Sequence, residues 1–436
     1  MVIKALKNLT VWTLLAGLLG YLSAISFGDP EWVRSSAPPD FYQLVLILKT
    51  LFLNSLKMLV APIVFFSLMA GLLNIRDANR LQTLGGVTIG YYLCTTVIAI
   101  VIGLTIVFFI HPWEGTVAPI SIDHLGQHEH YITPNKIIDH HSDSLLQVIQ
   151  QLLSIAFTNP FAALANLNIL GIATNALLIG LAMVLVVPQN SPLVTGIRHI
   201  NKVLHQLIGW VMRIAPLGIY AIIFDVTLKS GGALIDSLLG FCAVVVGGTL
   251  VHGLLILPVI ARLLAGVGPA RFVVGAGKPL LVAFATSSSS ATLPISLQSA
   301  QTHFGISATV AGFVFPLGAT MNMDGTALYE GIAAVFLAYL FGIDLSSTAV
   351  IAIFIMAMVS SIGAPGMPSG SMAGMQMVLL GAGIPLEAIG ILLVVERPLD
   401  MIRTAVNVEG DMVGALVTQR FFNGETAVTQ EIGDDR

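Results

Sequence analysis

Six apolar stretches, near residues 9–28, 43–75, 86–110, 151–187, 203–228 and 235–265, fill most of the first 265 positions of this 436-residue chain. About 20 helical residues cross a hydrocarbon layer of roughly 30 Å, so each stretch suffices for one crossing. Within a bilayer the backbone must satisfy its own hydrogen bonds, and stretches of this kind do so as helices. The expected class is therefore an all-α polytopic membrane protein. Composition agrees, with 56% hydrophobic and only 10% charged residues. The stretch at 151–187 is longer than one crossing needs and contains Asn159-Pro160, which predicts a break.

Basic residues set the expected orientation. Lys4 and Lys7, Arg76 and Arg80, Arg198 and Lys202, and Arg262, Arg271 and Lys278 share one side if the spans alternate. The segment 111–145 has Lys136 as its only lysine or arginine, so the positive-inside rule places the N-terminus and the basic segments in the cytoplasm and this segment outside. The opening has the form of a signal peptide, with small residues around Ser23 to Ser26, but a retained first helix suits a chain that is membrane-embedded throughout. A net charge of -4 without a basic tract argues against a nucleic-acid partner. Cys94 and Cys242, in apolar surroundings, read as packed free thiols. His111, His124, His128, His130, His140 and His141 match no ligand spacing and read as part of a solvated external loop.

In such a chain, charge at membrane depth marks function, because it costs several kcal/mol unless it is paired or lines a wet cavity. The run E-R-P-L-D-M-I-R-T-A-V-N-V-E-G-D at 396–411 is the densest case. At about 100° per residue, Glu396, Asp400, Arg403, Thr404, Asn407 and Asp411 share one helix face. Asp324, in G-A-T-M-N-M-D-G-T-A-L-Y at 318–329, is a second. A carboxylate with Asn322 and loosened backbone at Gly318 and Gly325 offers the oxygen ligands that hard cations prefer, and Tyr92, Thr95 and Thr96 add more. Flanking these, A-T-S-S-S-S-A-T-L-P at 285–294 and S-I-G-A-P-G-M-P-S-G at 361–370 interrupt apolar segments too short to span individually. Both read as tips of re-entrant hairpins, where unwound backbone can line a cavity.

Together the hydroxyl-rich hairpin, N-M-D-G-T, the Gly/Pro hairpin and D-x-x-R-T-x-x-N-V-x-G-D resemble the glutamate transporter family, the dicarboxylate/amino acid:cation symporters. K-M-L-V-A-P at 57–62, N-P-F-A-A-L-A-N at 159–166 and A-P-L-G-I-Y at 215–220 extend the likeness along nearly the whole chain. The resemblance implies eight transmembrane helices plus two re-entrant helical hairpins, in an elevator fold assembled as a homotrimer in the lipid bilayer. It implies scaffold over 1–85, a transport-domain helix over 86–110, the external loop 111–145, and scaffold and trimerisation helices over 146–230. The transport domain resumes over 231–420, and 421–436 forms a cytoplasmic tail. The implied location is the plasma membrane, or the inner membrane of a bacterium.

Roles carry over in the same way. Arg403 would hold a substrate's side-chain carboxylate and Asp400 its α-ammonium group. Asn407 would take the α-carboxylate with the hairpin tips, Ser288 and Ser289 on the first and Met367, Pro368 and Ser371 on the second. Thr326 and Thr404 would complete the pocket. One sodium site resembles Asp411 with Gly318, Asn322 and Asn407. A second resembles Asp324 with Asn322, Thr95, Thr96 and the Tyr92 carbonyl, and a third Thr320 with backbone at Ser361, Ile362 and Ala364. Sodium is a co-transported ion here, and no organic cofactor is implied.

Arginine calls for an anionic side chain and aspartate for a cationic amine, so an acidic amino acid satisfies both. Family members that carry plain dicarboxylates lack the acid at Asp400, and carriers of neutral amino acids lack the arginine. Aspartate or glutamate is thus the expected substrate, coupled to sodium because Asp324 and Asp411 are both retained. The alternative is a proton-coupled symporter of acidic amino acids or C4-dicarboxylates. An enzyme using Ser288 to Ser290 as nucleophile is disfavoured, since no His or Lys flanks that run. The chain also departs from the family pattern: archaeal members carry an arginine at the position of Ser287 and animal members one at Met401. Neither is present, and Arg397 lies one helical turn before Met401. Glu396 matches an acid in family members, and Arg397 is its neighbour in sequence.

Overall fold

The first apolar stretch becomes α1 (Leu9–Phe27). Pro39, at the N-cap, and Asp40 in the first turn then open α2 (Asp40–Leu72), an acid at the positive end of a helix dipole. After α3 (Ala78–Phe109), the break expected at Asn159-Pro160 is present. Asn159 Oδ1 accepts from the backbone N–H groups of Phe161 (3.0 Å) and Ala162 (3.3 Å), and Pro160 begins the short α4 (Pro160–Ala165). Asn168 repeats the device for α5 (Ile169–Val186), accepting from Gly171 N at 3.0 Å.

These helices belong to a computed structural model that describes residues 9–33, 35, 37–73, 78–111, 150, 153–166, 168–230, 233–363, 366, 370–385 and 388–434. Every regular element among the described residues is helical. The chain continues through α6 (Pro192–Ser230) and α7 (Ala233–Val251), which runs through a π turn at His252–Ile256 into α8 (Leu257–Ala265). Two helix pairs follow where the hairpins are expected. The first is α9 (Pro269–Thr286) with α10 (Ser289–Phe304). Then come α11 (Ala308–Met321) and α12 (Asp324–Leu340), separated by two residues. The second pair is α13 (Ser347–Gly363) with α14 (Ser371–Gly381), and α15 (Ile389–Asp434) ends the chain.

By length and hydropathy, three helices among the described residues are able to cross a membrane: Leu84–Phe109, Pro192–Leu228 and Asp236–Ala265. Shorter apolar helices lie at Val11–Phe27, Ala61–Leu72, Leu170–Val186 and Ser347–Ile362. The expected external segment lies outside the described residues except for His111, as do Ala364, Met367 and Pro368. One expectation is corrected. Cys94 is exposed, because the buried face of α3 is the one carrying Tyr91, Tyr92, Thr95 and Thr96.

Helices α1, α2 and α6 pack as one group, with α5 against α2. Helix α12 sits at the centre of another, against α3, α7, α13, α14 and α15, and every one of its residues except Tyr339 is buried. The first group contains a charge pair that the apolar pattern does not announce. Lys49 of α2 donates to Asp225 Oδ2 of α6 at 3.0 Å, Tyr42 donates to Asp225 Oδ1 at 2.5 Å, and all three are buried. Removing one partner of a buried pair leaves an uncompensated charge, at a cost of about 3–5 kcal/mol. Asp225→Ala should therefore lower the thermal unfolding midpoint of the purified protein more than the double variant Lys49→Met/Asp225→Leu does.

Candidate functional site

The two residues between α11 and α12 are Asn322 and Met323, both buried and both outside helical geometry. Interrupting a buried helix frees backbone groups that need partners. Helix α15 supplies them. Gly325 N donates to Asn407 Oδ1 at 2.8 Å, and Asn322 Nδ2 donates to Asp411 Oδ1 at 2.9 Å and to the Asn407 carbonyl at 3.3 Å. Asn407 Nδ2 in turn reaches Thr326 Oγ1 at 3.3 Å and Met323 Sδ at 3.2 Å.

Two glycines make this approach possible. A Cβ on Gly318 would collide with Asp411 Oδ1 and the Tyr92 hydroxyl, and one on Gly325 would stand 2.8 Å from the Arg403 carbonyl oxygen. Gly318 also accepts the Asn322 N–H at 2.9 Å, which closes the last turn of α11. The residues expected around Asp411, namely Gly318, Asn322 and Asn407, are thus brought together.

Around Asp324 one expected partner, Thr96, is in contact, and one residue is added. Thr96 Oγ1 donates to Asp324 Oδ1 at 2.8 Å, while Thr95 Oγ1 turns back to the carbonyls of Tyr91 and Tyr92, both at 3.2 Å. The Tyr92 hydroxyl donates to the Val314 carbonyl at 2.9 Å, fixing α3 against α11. The addition is His252, wholly buried, whose Nε2 lies 3.1 Å from Asp324 Oδ2. It begins the π turn, a widened helical turn of the kind often found at functional sites.

The third expected cation set is not joined in this way. Thr320 Oγ1 donates to the Leu317 carbonyl at 3.1 Å and Ser361 Oγ to the Met358 carbonyl at 2.8 Å, each turned onto its own helix. Ile362 is half-buried beside Ser361, and no hydrogen bond among the described residues links this pair to Thr320.

Next to these groups, the pocket face of α15 carries Asp400, Arg403, Thr404 and Asn407, all buried. The Arg403 guanidinium lies over the Tyr329 ring, 3.8 Å from its centroid. Its Nη2 donates to Glu396 Oε1 at 2.6 Å, to Ser371 Oγ at 3.1 Å and to Asp400 Oδ1 at 3.3 Å. Glu396 therefore partners Arg403, two turns along the helix, whereas Arg397 stands 3.9 Å from Asp400.

The hairpin tips meet above this face. Helix α9 ends at Ser287, a non-glycine residue held in the left-handed region at φ 51°, and Ser288 caps α10 by accepting from Ala291 N at 3.1 Å. From the second hairpin, the Gly366 carbonyl accepts from Ser288 Oγ at 2.7 Å and from Ser290 N at 3.0 Å. Ser289 is buried at the same tip, and Ser371 begins the second arm of the other hairpin.

Buried near this site and not assigned from the sequence are His252, Glu330, whose Oε1 accepts from Ser360 at 2.8 Å, and Glu409. His252 and Glu330 are ionisable side chains inside apolar runs, the same signal that marks Asp324, whereas Glu409 lies within the charged run 396–411.

Comparison with known proteins accords with this geometry. The chain is 32% identical over 394 residues to the neutral amino acid transporter B(0) of Oryctolagus cuniculus, covering 85% of this chain and 72% of the relative. It is 30% identical to the Homo sapiens neutral amino acid transporter A, covering 94% of this chain and 81% of the relative. It is also 30% identical to an excitatory amino acid transporter of Caenorhabditis elegans, covering 85% of this chain and 80% of the relative. A family model described as the sodium:dicarboxylate symporter family matches residues 9–421, nearly the whole chain. The chain belongs to this family, the one its motifs resemble, and is a multi-pass membrane transporter rather than an enzyme.

Proposed function

We propose that this transporter is a sodium-coupled symporter of acidic amino acids, L-aspartate or L-glutamate. The observation that supports it is the pairing, on one buried helix face, of Arg403 with Asp400 beside Asn407 and the hairpin tips. An anionic side chain suits the first and an ammonium group the second, so an acidic amino acid leaves neither charge unmatched. Asn407, with Thr326 and Gly325 held to it, would take the α-carboxylate. Ser288, Ser289, Ser371, Met367, Pro368 and Thr404 would close round the substrate.

Sodium would bind at Asp411 with Gly318 and Asn322, and at Asp324 with Thr95, Thr96 and Tyr92. The Asn322 amide serves both the Asp411 carboxylate and the backbone of substrate-binding Asn407, which supports linkage between ion and substrate. Thermodynamic reciprocity then requires each to raise the other's affinity by the same factor. Thr320, with backbone at Ser361, Ile362 and Ala364, would form the third site once its hydroxyl turns from its own helix.

The grouping of α1, α2, α5 and α6 apart from α12 and its neighbours supports a division into scaffold and transport domain. Elevator movement of the transport domain, a homotrimer built on the scaffold, and cytoplasmic termini in a plasma or bacterial inner membrane complete the reading.

Proteoliposomes containing the purified protein should accumulate labelled L-aspartate when an inward sodium gradient is imposed. Equal accumulation with a proton gradient alone overturns sodium coupling. Arg403→Ala should abolish that uptake, and an unchanged aspartate affinity in this variant would refute the pocket. Gly318→Ala, which forces Asp411 from its position, should weaken sodium binding at least tenfold in a direct titration, on the scale of the about 1–3 kcal/mol typical of overpacking.

A further inference from the structure

Among the described residues, every side-chain hydrogen bond of Arg403 leaves from one nitrogen. Nη2 serves Glu396, Ser371 and Asp400, whereas Nε and Nη1 have no partner among the described residues. A guanidinium can hold a carboxylate with paired bonds along its Nε and Nη2 side or across its Nη1 and Nη2 end. Nη2 belongs to both edges. It carries one hydrogen on each, and with Glu396, Ser371 and Asp400 all gathered on those two hydrogens, neither edge is open to grip a second carboxylate with two bonds.

The three bonds are unequal. The 2.6 Å contact to Glu396 lies at the short, strong end of charge-assisted bonds, and the 3.3 Å contact to Asp400 lies beyond the usual range. Glu396 is thus the principal counter-ion of Arg403, with Asp400 the more distant one. The same Glu396 oxygen accepts from Ser371 at 2.8 Å, which connects it to the second hairpin.

We propose that Glu396 is a specificity-determining residue, an internal carboxylate that occupies Arg403 until the side-chain carboxylate of an acidic substrate displaces it. This rests on the acidic amino acid reading above. A buried arginine needs an anion at every stage. Glu396 supplies it before substrate arrives, and substrate then exchanges one carboxylate for another. A neutral amino acid brings no replacement anion, leaves Glu396 in place and draws no binding from Arg403. Displacement also removes the acceptor of the Ser371 hydroxyl, so the second hairpin registers whether the incoming side chain is acidic.

The test is calorimetric titration of the full-length protein with L-aspartate and L-glutamate at saturating sodium, and with sodium alone. A charge-assisted bond is roughly twice as strong as a neutral one. Glu396→Gln should therefore lower the Kd for the acidic amino acid about five- to tenfold and leave the sodium Kd without substrate unchanged. Glu396→Asp, one methylene shorter, should lower the substrate Kd by less, and it carries the test where Glu396→Gln does not yield folded protein. A Kd that rises or stays constant overturns the proposal, as does a parallel shift in sodium affinity, which would mark a merely structural role. If the unmodified protein binds neither acidic amino acid, the substrate reading itself fails. If it binds one and the variants do not respond, only the role of Glu396 fails.

Discussion

A helix that stops and restarts inside a buried apolar bundle leaves carbonyls and amides that water does not reach. Each such group costs about 1–3 kcal/mol if it stays unpartnered, so the gap between Met321 and Asp324 constrains whatever surrounds it. Helix α15 presents Asn407 and Asp411 one turn apart at that height, the first taking up the backbone Gly325 N–H and the second the side-chain amide of Asn322, whose own backbone N–H stays with Gly318. Helix α3 has to turn its tyrosines and threonines inward, where Tyr91 donates to the Gly410 carbonyl at 3.2 Å and Thr96 to Asp324. The polar groups that keep the gap stable are also those with oxygen atoms to offer a cation. Stability and ion chemistry therefore draw on the same few residues, and a change at Gly318 or Asn322 affects both.

Much of this was legible in the sequence because a bilayer makes polarity conspicuous. Asp324 stands out in an apolar run, Asn159-Pro160 announces a helix start, and the serine run and the Gly/Pro run mark tips between arms too short to cross alone. The stripe on α15 follows from helical geometry. Partner choice along that stripe did not. Glu396 and Arg397 are neighbours in sequence but point about 100° apart, whereas positions seven apart return to nearly the same face. That is why Glu396 meets Arg403. The pairing of His252 with Asp324 joins residues 72 positions apart, and a lone histidine in an apolar helix carries no sign of which distant helix will face it. Nor do hydroxyl positions tell whether Thr320 and Ser361 turn towards each other or back onto their own carbonyls.

The buried charges also differ in kind. Lys49 and Asp225 pair with a tyrosine in support, an arrangement that fixes α2 to α6. At α15 one guanidinium faces two carboxylates, with Arg397 at the edge beside Asp400. A site where two carboxylates compete for one guanidinium has alternative partners of unequal strength, which is the property a group needs if it is to release one ligand for another.

The Gly366 carbonyl takes hydrogen bonds from both Ser288 and Ser290, so among the described residues one oxygen atom ties the two helix pairs together at their tips. Parting them breaks both bonds in the same movement and leaves three polar groups to be rehydrated together. Half-open arrangements retain little of that bonding, so the seam behaves as all-or-none. A carrier closed in this manner resists seepage of water and small ions through its centre, because no partial gap is cheap enough to persist.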